Sequence, residues 1–140
     1  MGGDWYTPRA RYGIRYPFHE VRTLLKGAVI DTEDEDPRER KDVLMAGRFE
    51  KFVAAIMPDL DPRCQVDIMT LEAYSRWEYV DRDYGSVYYV VGVDLAEDQL
   101  TALNIVHLDE TIKPCLSVLA AKLAELSGKD QKEPRVLLGI

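Results

Sequence analysis

The chain has 140 residues, 46% of them apolar and 31% charged, with a formal net charge of −7. That length suits one domain around one core, and the balance excludes the low-apolar, highly charged composition of disordered chains. No apolar run approaches the roughly 20 residues that cross a bilayer. The first residues also lack a basic segment leading into an apolar one. The two cysteines, Cys64 and Cys115, are too few for a disulfide framework. The expectation is a cytoplasmic protein with two free thiols and no membrane association.

Charge is unevenly spread. Residues 1 to 30 carry Arg9, Arg11, Arg15, Arg22 and Lys26 against Asp4 and Glu20, a balance of +3, which leaves −10 for the other residues. The first 16 residues interleave Trp5, Tyr6, Tyr12 and Tyr16 with arginines and show neither helical nor strand period. They read as a basic, aromatic N-terminal arm (1–16) ahead of a single domain (17–140). Such an arm either folds back on its own acidic body or contacts a partner through Arg9, Arg11 and Arg15.

Pro17 suits a first helical position, and Phe18, Val21, Leu25 and Ala28 follow at steps of three and four, so a short helix is expected to about Gly27. After the acidic run Asp31 to Asp36, Asp36 as cap, Pro37 as first residue and Glu39 three past the cap predict a second helix. Its inward face is Met45, Phe49, Phe52, Val53 and Ile56, and Pro58 and Pro62 close it. From Gln65 the period shortens to two. Val66, Ile68 and Thr70 alternate with Asp67, Met69 and Leu71, and the β-rich stretch Tyr74 to Val80 follows.

Asp81 to Gly85 has turn chemistry, and Ser86 to Leu95 contains Val87-Tyr88-Tyr89-Val90-Val91, a strand covered on both faces. Residues 96–108 fit either period; Leu100, Ala102, Asn104, Val106 and Leu108 alternate, and strand is the expectation. Ile112, Leu116, Leu119, Leu123 and Leu126 then repeat at helical spacing, with Pro114 in the first turn and Gly128 as C-cap. The polar 129–133 leads into Val136-Leu137-Leu138, which must dock on a sheet edge, a helix or a second subunit. The sum is an α+β fold: an antiparallel sheet of three to five strands with two or three helices packed mainly on one face.

Reaction chemistry finds little support. A calcium loop starting at Asp31 needs Gly and Glu where Asp36 and Asp42 stand. His19, His107, Cys64 and Cys115 offer zinc no close pair. The pairs Asp59/Asp61 and Asp81/Asp83 sit in turns. A Cys115 nucleophile with His107 as base is conceivable, but Cys115 falls beside Leu119 on an apolar face, where packing explains it. Phosphate-cradling, dinucleotide and hydrolase motifs are missing. The expectation is no metal and no cofactor, and the acidic body disfavours nucleic acid.

Trp77 and Tyr79 share a strand face, and Tyr89 can stand beside them, so a patch of rings is available either to the core or to a partner. Trp77, Tyr79, Tyr89, Arg9, Arg11 and Arg15 are therefore the candidate binding residues. The expected function is a non-enzymatic, protein-binding homodimer of inhibitor or chaperone type. The rival is a small-molecule binder or enzyme with a pocket between sheet and helices. Self-association is read from the helix after Pro114, whose leucine stripe is widened by Ala120, Ala121 and Ala124, leaving Lys113, Ser117, Lys122 and Glu125 for water.

Overall fold

The computed structural model describes residues 9–70 and 87–139. In chain order they form β1 (Arg9–Pro17), α1 (Phe18–Leu25), α2 (Lys41–Ile56), β2 (Gln65–Thr70), β3 (Val87–Leu95), α3 (Ala102–Thr111), α4 (Lys113–Ser127) and β4 (Arg135–Gly139). The four strands make one antiparallel sheet in the order β2-β3-β1-β4. The fold is α+β as expected, with four helices among the described residues. The strand expected over 74–80 and the turn at 81–85 lie outside them, as do Trp77 and Tyr79.

Residues 9–16 are not an arm beside the sheet: they are most of β1, an inner strand between β3 and β4. Ala10, Tyr12, Ile14 and Tyr16 alternate toward the main core, while Arg9, Arg11 and Arg15 point to the other face. Pro17 closes β1 and caps α1. Phe18, Val21 and Leu24 of α1 meet Met45, Phe49 and Val53 of α2, Leu108 of α3, and Leu116, Leu119 and Leu123 of α4 over the same sheet face. Each such side chain, fully buried, contributes roughly 1.5–3 kcal/mol.

The helices depart from the expectations in two places. Asp36 does not cap α2; its carboxylate accepts from its near neighbour Arg38, at the backbone N–H (2.9 Å) and the guanidinium (3.1 Å), closing a local turn. The helix starts at Lys41, with Asp42 supplying negative charge in the first turn. Residues 97–99 form a 3₁₀ turn and 102–111 a helix, not the expected strand, because Thr101 Oγ1 accepts the Asn104 N–H at 3.2 Å and caps α3. At α4 the expectation holds, with Pro114 in the first turn and Gly128 left-handed at φ 71°. The tail docks on the sheet as β4 beside β1.

The sheet is strongly coiled. A Cβ placed on Gly139 at the end of β4 would lie 2.7 Å from the Thr70 carbonyl oxygen and 3.0 Å from Met69 Cε at the end of β2, although β2 and β4 are the outermost described strands. Opposite corners of the sheet therefore meet over the face opposite the described helices, where Met69, Val90 and Leu137 form a second small core. The bend has a visible seat. Gly13 and Gly92 are directly paired, and a Cβ on Gly92 would fall 2.1 Å from the Tyr12 carbonyl oxygen.

Two glycine substitutions separate these demands. Gly92→Ala forces the backbone of β1 away and is expected to cost about 3 kcal/mol or more. Gly47→Ala, inside α2 with nothing within 4 Å of its added carbon, is expected to stabilise by up to about 1 kcal/mol. Denaturant unfolding of both variants checks the pair; equal effects would contradict the close approach of β1 and β3.

Candidate functional site

Tyr89 belongs to the core and not to an exposed ring patch. It is fully buried, packs against Phe18 and Phe49 with centroids 6.2 and 6.3 Å away, and its hydroxyl donates to the Asp42 carbonyl oxygen at 2.9 Å. That bond ties the first turn of α2 to the first part of β3. Of the candidate aromatic residues, only Tyr89 can be placed, and it is structural.

The three arginines of β1 separate by role. Arg11 is 2% exposed. Its guanidinium lies beside the bare Gly13/Gly92 pair and donates to Asp94 (2.9 Å), Asp67 (3.1 Å) and the carbonyl oxygens of Gly92 (2.9 Å) and Gln65 (3.1 Å). Arg9 also donates to Asp67 and, at 3.4 Å, to the Ile68 carbonyl oxygen. Two cations and two carboxylates from three strands thus form one neutral network on the concave face. Arg11 is buried within this network, whereas the Arg9 side chain joins it while remaining 38% exposed.

Arg15 is placed differently. The register sets Tyr88 opposite Pro17 and Arg135 opposite Gly13, so Arg15 shares its sheet face with both. Its guanidinium carbon sits 4.7 Å from the centre of the Tyr88 ring, a cation–π contact that holds the planar group in place. The 129–133 connection brings Lys132 and Glu133 to the same spot. Lys132 Nζ lies 3.2 Å from Glu20 and 5.7 Å from the centre of the Tyr16 ring. Together Arg15, Pro17, Tyr88, Lys132, Glu133 and Arg135 line a half-open cleft of about 390 Å³. Among the described residues, neither Arg15 nor Arg135 has an ion pair.

A groove of about 540 Å³ between α1 and α2 is also basic, lined by Arg22, Lys26 and Arg48. There Glu35 holds Arg48 through two bonds of 2.8 and 2.9 Å, so part of its charge is already answered. The acidic run is an exposed loop beside that groove, pinned by Lys51 donating to the Asp31 carbonyl oxygen at 2.7 Å. Among the described residues, no three His, Cys, Asp or Glu side chains are placed to hold a metal ion. Asp61 accepts from Arg63 at its backbone N–H, in keeping with a turn role. Cys115 Sγ donates to the Ile112 carbonyl oxygen at 3.1 Å, and no hydrogen bond joins it to His107.

Sequence reasoning missed Tyr88, Lys132 and Arg135. The available signal was strand period: in any strand containing Arg15, alternate residues of its neighbours share its face. No protein-family model, curated protein or solved structure matches the chain. Among the described residues, no helix is long and apolar enough to cross a membrane.

The tyrosines behind the cleft give the fold a pH dependence. Burial, with Glu20 adding to it, holds the Tyr16 hydroxyl above the ordinary tyrosine range; burial and Asp109, which accepts the Tyr12 hydroxyl, do the same for Tyr12. The unfolded chain loses these protons near pH 10 while the folded chain keeps them. Their stabilisation is therefore complete below about pH 10 and is lost as pH climbs toward the raised folded values. Denaturation midpoints are expected to fall between about pH 9 and pH 11.5, and to fall less in Tyr16→Phe. An unchanged alkaline slope in that variant would contradict the assignment.

Proposed function

We propose that this domain is a binding protein that captures an acidic segment of a protein partner in the Arg15 cleft. The observation that carries the reading is Arg15 itself, stacked on Tyr88 and without a carboxylate partner among the described residues, facing the same cleft as Lys132 and Arg135. A planar guanidinium held in place loses little freedom when it grips a carboxylate with two parallel bonds. The net charge of −7 repels an acidic segment over most of the surface, so the field directs it to the basic spot. The half-open shape suits a chain passing through better than a ligand enclosed on all sides.

Self-association accompanies this reading. Val118 and Leu126 of α4 and Leu138 of β4 are 49%, 60% and 66% exposed. Cover by a second copy across a two-fold axis would remove all three from water.

A glutamate-rich peptide titrated by calorimetry at low salt is expected to bind. Arg15→Ala and Arg135→Ala should each weaken binding five- to tenfold, about 1–1.4 kcal/mol, while added salt weakens it further. Unchanged affinity in both variants contradicts the cleft, and inorganic phosphate binding as tightly as the peptide would replace it with a small-anion pocket. Sedimentation of the same samples should give twice the single-chain mass, shifted toward one chain by Leu138→Asp. A single-chain mass throughout removes the dimer and leaves the cleft reading standing.

A further inference from the structure

Arg22 and Lys26 stand one helical turn apart at the end of α1, and Arg48 of α2 lines the same groove of about 540 Å³. Leu25 and Met45 add apolar lining. Among the described residues, neither Arg22 nor Lys26 has an ion pair. Arg48 has one: its Nε and Nη2 donate to the two oxygens of Glu35 at 2.8 and 2.9 Å. Both side chains of that pair still reach water, at 42% and 18% exposure. Lys51, three residues past Arg48, donates to the Asp31 backbone carbonyl oxygen at 2.7 Å, a neutral acceptor that leaves its charge in place. In the adjoining acidic loop Asp36 is engaged by Arg38, and the Asp31 carboxylate accepts the Glu33 N–H at 3.0 Å. Glu35 is thus the described carboxylate that reaches into the groove, and it answers one of several positive charges there.

We propose that the groove between α1 and α2 is a phosphate site for a small diphosphate-bearing molecule, and that Glu35 is the internal carboxylate this ligand displaces from Arg48. A carboxylate ligand would only exchange one single charge for another at Arg48. A phosphate group carries about −1.5 to −2 charge and three strong acceptor oxygens, so it answers Arg48 and an unpaired cation together. Cations one helical turn apart, with β-carbons about 5–6 Å from each other, are spaced for two linked phosphates better than for one. An extended acidic peptide is disfavoured here, because it would lie against the acidic run Asp31 to Asp36. The site is independent of the Arg15 cleft, since the two share no lining residue among those described.

Displacement asks little of the backbone. Lys51 fixes the loop at Asp31, and the Glu35 N–H donates to the Thr32 carbonyl oxygen at 3.1 Å, so the loop keeps its turn while the Glu35 side chain swings to water. An ion pair in contact with water is weak, so a dianion held by several cations outweighs it. Until then Glu35 acts as a built-in competitor. It lowers the affinity of every anion for the groove and leaves singly charged ones with the least to gain.

The test is calorimetric titration of the full chain with pyrophosphate and with ADP at low salt, without divalent metal. Both are expected to bind; tighter ADP binding assigns Leu25 and Met45 to the organic part of the ligand, and equal affinities make the diphosphate the whole of it. Glu35→Gln should tighten pyrophosphate binding about two- to fivefold. Arg22→Ala and Lys26→Ala should each weaken it about tenfold, and Arg15→Ala should leave it unchanged. In the native chain the Arg48 Nε–H resonance should move as pyrophosphate is added, a readout that depends on no variant. Failure of both the native chain and Glu35→Gln to bind pyrophosphate would overturn the proposal. So would Glu35→Gln binding no tighter than the native chain, an Arg48 resonance that stays put, or a loss in Arg15→Ala as large as that in Arg22→Ala.

Discussion

A buried guanidinium organises this molecule. Arg11 is taken almost wholly out of water in the middle of a sheet, which is tolerable only because two carboxylates and two backbone carbonyl oxygens converge on it. Those acceptors come from β2 and β3 while Arg11 comes from β1. The network can be satisfied only if the three strands curve toward one another. Gly13 and Gly92 supply the space, since any Cβ there would meet the facing backbone. Coiling, glycines and charge network are one arrangement seen from three sides.

Curvature then divides the molecule's two faces. The convex side takes the four described helices and the large core of Tyr12, Ile14, Tyr16, Phe49 and Tyr89. The concave side closes on Met69, Val90 and Leu137. Arg15, two residues past Gly13 along β1, makes no ion pair with Asp67 or Asp94, which Arg9 and Arg11 hold, and stacks instead on Tyr88. The same strand thus carries Arg11, held by four acceptors, and Arg15, which has no ion pair among the described residues.

Where burial and period agreed, the sequence was a good guide. The alternation at 65–70, the doubly covered 87–95 and the three-four leucine spacing of α4 each appear as expected. β1 was missed although Ala10, Tyr12, Ile14 and Tyr16 alternate, because arginines on the opposite face suggest solvent, and nothing local reveals distant carboxylates that can bury one. α3 was mistaken for a strand because its apolar residues do not serve one inward face: Leu108 is buried while Leu103 and Val106 are exposed. The start of α2 shifted because Asp36 finds Arg38 closer than a helix N–H. The cleft was partly legible through Arg15, but Tyr88, Lys132 and Arg135 join it only through register and the course of 129–133.

The most direct measurement is the unfolding free energy of Arg11→Met, which keeps the bulk of the side chain and removes its charge. If the guanidinium holds the coiled sheet, Asp67, Asp94 and the Gly92 and Gln65 carbonyl oxygens lose their shared donor, and the variant should be destabilised by about 3 kcal/mol. A second change, Asp94→Asn, should then cost less in Arg11→Met than in the native chain by about 1 kcal/mol. A loss under about 0.5 kcal/mol for Arg11→Met, the size typical of an exposed surface substitution, would contradict the account.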